Sequence, residues 1–173
     1  MKSKRNLMLT ALIAVSAAGP ALAIDTSRSG AVATPANRIV GLWVSEGITR
    51  PCGTVLPANT VRNTLLFSAG GTVEENPRFP PQGAPNVNGV AGINQRGQAL
   101  GTWSFEPISG VYSLHLRFDW YVDGVYHGYQ TVDRDLTLSP DGLQVTGPVV
   151  ATRFSAAGVP IAALCGTATS DRI

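Results

Sequence analysis

Lysine is all but missing from this 173-residue chain: Lys2 and Lys4 are the whole supply, and every cation beyond Arg5 is an arginine. Charge is scarce too, at 14% of residues. Once residues 1–23 are set aside, ten arginines stand against eleven acids. That near-neutral balance leaves no basic stripe for nucleic acid or anionic lipid. No apolar run reaches the ~20 residues that a membrane-spanning helix needs. Cysteine occurs only twice, so Cys-x-x-Cys redox or zinc pairs are excluded. Gly-x-Ser-x-Gly, His-Glu-x-x-His and a phosphate-binding glycine loop are also absent.

What is present begins with an export leader. Lys2, Lys4 and Arg5 form a cationic start, residues 7–18 are uncharged and apolar, Pro20 breaks the run, and Ala21-Leu22-Ala23 is a small-x-small cleavage site. Residues 1–23 therefore read as a signal peptide and place the mature chain in the periplasm or outside the cell. Cys52 and Cys165 agree with that address. An even count in an oxidising compartment reads as a disulfide, the alternative being two unpaired thiols.

Residues 24–37 are small and polar and are expected to form a flexible arm. Residues 38–173 have the length of one domain. They hold about eight β-rich runs, at 38–46, 61–67, 72–75, 101–108, 111–122, 125–138, 143–154 and 160–169. Gly- and Asp-containing turns separate them, and no helical period persists. The expected class is all-β, an antiparallel up-and-down β-barrel or a sandwich. The longest hairpin is the clearest. Tyr112, Leu114, Leu116, Phe118, Trp120 and Val122 alternate with polar residues, and Tyr126, Val132, Leu136 and Leu138 share one parity. A three-residue loop through Gly124 would bring Leu114 opposite Val132 and Trp120 opposite Tyr126. His115, Arg117, Asp119, His127 and Tyr129 would then face outward, which argues against a lipid-facing outer wall. Residues 76–98 contain four Pro, four Gly and four Asn and no period. They read as a long loop, either a flap over a barrel mouth held by Phe79, Val87, Val90 and Ile93, or a mobile insertion.

Catalytic candidates are thin. His115, Asp119 and His127 share the hairpin as conceivable metal ligands. In the expected register only Asp119 and His127 are opposed, which does not make a site. No catalytic residue, metal or cofactor is expected. Glu74-Glu75 and Asp133-Arg134-Asp135 read as exposed strand ends.

Gly41-Leu42-Trp43 on the first strand, with a second Gly-x-Trp at Gly101-Thr102-Trp103, resembles the lipocalins and wider calycin-like barrels. Thr64-Leu65-Leu66-Phe67, the Asp123-Gly124 hairpin and the segment 165–173 extend the likeness to a family of small exported bacterial barrels without assigned function. The resemblance implies an up-and-down barrel of about eight strands, with Trp43 plugging its closed end. It also sets the first strand beside the last, so a Cys52–Cys165 bridge would staple the seam. Trp43, Trp103, Phe105, Trp120 and Tyr126 are residues that more often build a core, and in a ligand-binding barrel they would line the lumen. The function expected is non-enzymatic binding of a small apolar molecule. The alternatives are a small barrel enzyme similar to allene oxide cyclase or dirigent-like barrels, and a structural or inhibitor protein acting through 76–98.

Overall fold

A computed structural model describes residues 35–56 and 58–173. The leader, residues 1–23, and residues 24–34 of the arm lie outside the described residues. Residues 35–37, expected in the arm, instead open a 3-10 turn, Pro35–Ile39, whose Ile39 is fully buried.

Ten strands follow: β1 (Gly41–Pro51), β2 (Asn59–Phe67), β3 (Thr72–Pro77), β4 (Ala84–Pro85), β5 (Ile93–Arg96), β6 (Ala99–Glu106), β7 (Val111–Val122), β8 (Val125–Leu138), β9 (Gln144–Ser155) and β10 (Pro160–Arg172). Around the sheet the order is β7-β6-β3-β2-β1-β10-β9-β8, and β8 pairs back with β7. All pairings are antiparallel, so the chain forms a closed eight-stranded barrel. Closure removes the free sheet edges that would otherwise invite pairing with another chain. The two extra strands come from the segment expected to be a loop. β5 pairs with β7 at Arg96↔Trp120, just beyond the point where β6 begins its own pairing at Leu100↔Arg117.

The β7–β8 hairpin corrects the expected register. Asp123 and Gly124 both adopt left-handed φ (50° and 79°), which makes a two-residue turn with Val122↔Val125 and Tyr121↔Tyr126. One extra residue, His127, then forms a bulge, so Trp120 lies opposite Gly128 and not opposite Tyr126. Beyond the bulge Leu114 faces Arg134, Leu116 faces Val132 and Phe118 faces Gln130. Gly128 itself has φ 140°, and a Cβ there would meet the Phe154 carbonyl oxygen at 2.1 Å. The bulge turns the remainder of β8 over. Gln130, Val132, Arg134 and Leu136 point inward, whereas Tyr126, on the near side, stays outside at 42% exposure. His115 and Arg117 are exposed, and Asp119, His127 and Tyr129 are half-buried.

One end of the barrel is shut. Trp43 is 0% exposed and donates its indole N–H to the Ile39 carbonyl at 2.8 Å. The Arg172 guanidinium lies 4.3 Å over the Trp43 ring and donates to the carbonyls of Val40 and Gly142, each at 2.8 Å, and of Arg38. Leu65, Phe67, Val73, Trp103, Tyr112, Leu136 and Val145 fill this half. Trp43 and Arg172 are also register partners across the β1–β10 seam. At the other end of that seam Cys52 and Cys165 form a disulfide, with Cα atoms 4.9 Å apart.

Candidate ligand site at the barrel mouth

Between the shut end and the open end the barrel interior turns polar. Strand alternation brings Ser45 from β1, Asn63 from β2, Glu75 from β3, Gln130 and Arg134 from β8, and Ser170 from β10 into the lumen, all at most 6% exposed. Arg96 enters from β5 with its side chain 7% exposed, and Arg153 from β9 is 1% exposed. Glu75 and Arg134, expected at the surface, are therefore interior groups. The cue was available: each shares the parity of apolar neighbours, Val73 for Glu75 and Val132 with Leu136 for Arg134.

Glu75 is the hub of this layer. Its carboxylate accepts from Asn63 Nδ2 at 2.5 Å and lies 3.3 Å from Arg96 Nη2. That second contact is close enough for charge attraction but is poorly aligned as a hydrogen bond. Arg96 also stacks 3.5 Å over the Phe118 ring. Arg134 crosses the lumen to donate to Ser45 Oγ at 3.1 Å, and its Nε has no partner among the described residues. Arg153 packs 4.4 Å over Trp120 and donates to Asn94 Oδ1 at 3.1 Å, leaving Nε and Nη2 unpartnered. Burial lowers the pKa of all three guanidiniums, and for Arg96 and Arg134 the Glu75 charge pulls it back up. A guanidinium nevertheless stays charged at neutral pH.

Above this layer lies a cavity of about 380 Å³, within the range of small-molecule sites. Phe118, Trp120, Leu164 and Phe79 give it apolar wall, and Arg96, Gln130 and Thr49 give it polar points. Trp120 is fixed on two sides, by an indole N–H donated to Gln130 Oε1 at 2.9 Å and by edge contacts with Phe79 and Phe118 at 5.7 and 5.5 Å. The segment 76–98 forms the cover. Phe79 and Val87 pack against the core. Asn94 is fully buried and donates to the carbonyls of Val90 and Gly92, while Ile93 is 42% exposed. Val87, Asn86 and Asn88 border the cavity.

Of the five aromatic residues expected in the lumen, only Trp120 borders this cavity. Trp43 and Trp103 are buried in the shut half, Phe105 is partly buried against Tyr112 at 4.7 Å, and Tyr126 is outside. Phe118, Arg96 and Gln130 take the places that the sequence reading gave to the others. His115, Asp119 and His127 are not brought together. His115 Nδ1 pairs with Asp133 at 2.6 Å, Asp119 faces Tyr129, and His127 occupies the bulge. No cluster of three metal-ligating side chains occurs among the described residues. A second depression of about 290 Å³ lies on the outer wall, where Ser113 donates to Asp135 at 2.7 Å beside the His115–Asp133 pair. These are exposed cross-strand pairs, and Ser113 is bonded to a carboxylate instead of to the histidine.

Comparison with family models, with curated proteins and with solved structures returns no match to this chain.

Proposed function

We propose that this protein is an exported, non-enzymatic barrel that holds one small, largely apolar molecule at its open end. The observation that carries this reading is the division of the interior. One half is filled by Trp43, Phe67 and Trp103, and the other keeps a 380 Å³ cavity walled by Phe118 and Trp120 under a folded cover. A barrel of eight strands has room for either outcome, a filled lumen or one small ligand. The Trp43 plug supports kinship with lipocalin-like barrels, and the disulfide is compatible with export. An enzymatic role has less support, because the polar groups on the hairpin are dispersed.

The test is titration of the purified, oxidised protein with the uncharged fluorophore N-phenylnaphthylamine, with native mass spectrometry alongside. Saturable binding of one molecule, with quenching of Trp120 relative to a Trp120→Phe variant, is the expected result. Absence of both saturable binding and any co-purified small molecule would overturn the proposal.

A further inference from the structure

The charges around the mouth do not balance. Inside the barrel, among the described residues, three guanidiniums (Arg96, Arg134 and Arg153) meet a single carboxylate, Glu75. The mouth carries an excess of cations too. The charged residues that border the cavity are Arg62, Arg78 and Arg96, with no acid among them. Arg62 is engaged by Glu46 at 2.8 Å on the exposed wall, whereas Arg78 makes no ion pair among the described residues. A buried cation without a counter-charge is costly to keep out of water, so an excess of two inside a small barrel calls for an anion. Arg96 also borders the cavity that the apolar walls define, and Thr49, which borders the same cavity, has a buried hydroxyl with no partner.

We infer that the molecule held at the mouth carries an oxyanion: an apolar body against Phe118 and Trp120, with one carboxylate or phosphate group set against Arg96 and within the field of Arg78. This rests on the reading of the mouth as a binding site and adds the chemical class of the ligand. Arg96 is suited to the task because Glu75 engages its Nη1 and Nη2 only loosely, at 3.4 and 3.3 Å. Its Nε reaches the Gly97 carbonyl only at 3.4 Å as well, so an oxyanion can draw a charge-assisted N–H from this guanidinium in competition with long contacts. Arg134 and Arg153 contribute through their positive field.

Three matched probes test it by displacing N-phenylnaphthylamine at neutral pH: decanoate, decyl phosphate and decan-1-ol. One of the two anions should bind about tenfold or more tightly than the alcohol, as a charge-assisted hydrogen bond implies. Which of them binds better distinguishes a carboxylate from a phosphate ligand. Arg96→Met should abolish the preference, Arg78→Met should reduce it in a salt-dependent way, and Glu75→Gln should increase it. If Arg96→Met does not fold, the opposite directions expected of Arg78→Met and Glu75→Gln still decide the matter. Equal affinity for anions and alcohol, with the fluorophore bound, would overturn the anion inference and leave the mouth as a binding site. Failure of the fluorophore and all three probes would overturn both. A preference for anions that neither Arg78→Met nor Glu75→Gln alters would overturn the assignment to these residues.

Discussion

Replacing Cys52 and Cys165 together by serine should destabilise the barrel mainly through the unfolded chain. The two residues are separated by 113 positions. Closing a loop of that length removes chain entropy worth roughly 4.8 kcal/mol at 25 °C on the loop-closure model. Little of the loss should come from the folded side. The bridge sits at the end of the β1–β10 ladder, which runs from Trp43↔Arg172 to Pro51↔Leu164: Cys165 is still paired with Arg50, and Cys52, one residue past the ladder, has its amide separately held by the Ala163 carbonyl at 3.0 Å. The folded protein should therefore keep its near-ultraviolet circular dichroism and its tryptophan emission. Urea unfolding of oxidised wild type, reduced wild type and the double serine variant measures the effect. The expected loss is about 3–5 kcal/mol for both unbridged forms, with a larger m-value because the released chain exposes more surface. A loss below about 1 kcal/mol with an unchanged m-value would refute the reasoning, because the bridge would then restrain neither state.

Two further outcomes follow from the local geometry. A Cβ on Gly147 would fall 1.8 Å from the Asp135 carbonyl oxygen, and both partners are backbone, so neither can swing away. Gly147→Ala should cost more than about 3 kcal/mol in urea unfolding, against about 1–2 kcal/mol for Gly110→Ala, where only the left-handed φ resists. The Asp141 carboxylate is held below its ordinary pKa, first by the Ser139 hydroxyl at 2.6 Å and then by the Leu143 amide at 3.0 Å. Its contribution to the 139–143 turn is thus fully present above the ordinary carboxylate value and fades as the pH falls through the lowered one. The Leu143 amide resonance should titrate over that acid window, and Asp141→Asn should abolish the titration.

Much of the architecture is written in alternation. β7 and β8 occupy the ranges read from sequence, 111–122 and 125–138, because apolar residues mark one face at every second position. The bulge at His127 is not written there. A single extra residue leaves no compositional mark, and it puts Tyr126 on the outer face although it shares the even numbering of the inward Val132, Arg134 and Leu136. The site was harder to see for a related reason. Pattern reading counts a charged residue as solvent-facing, yet Glu75, Arg134 and Arg153 lie on the inner parity, where partners from other strands (Arg96 for Glu75, Ser45 for Arg134 and Asn94 for Arg153) receive them. β5 was hidden within residues 76–98 because it spans four residues and takes its support from β7 and not from any period of its own.

The clamp on Trp43 has a kinetic side. Arg172 reaches the Val40 carbonyl across 132 positions of sequence, and the β1–β10 ladder joins segments almost as distant. No subset of early strands can complete the cylinder, and until the last strand arrives the inward arginines lack their enclosing wall. Such long-range closure makes for slow folding. Under the proposed export, that sluggishness is useful: the polypeptide stays threadable during translocation and becomes a barrel only after its first and last strands meet on the far side.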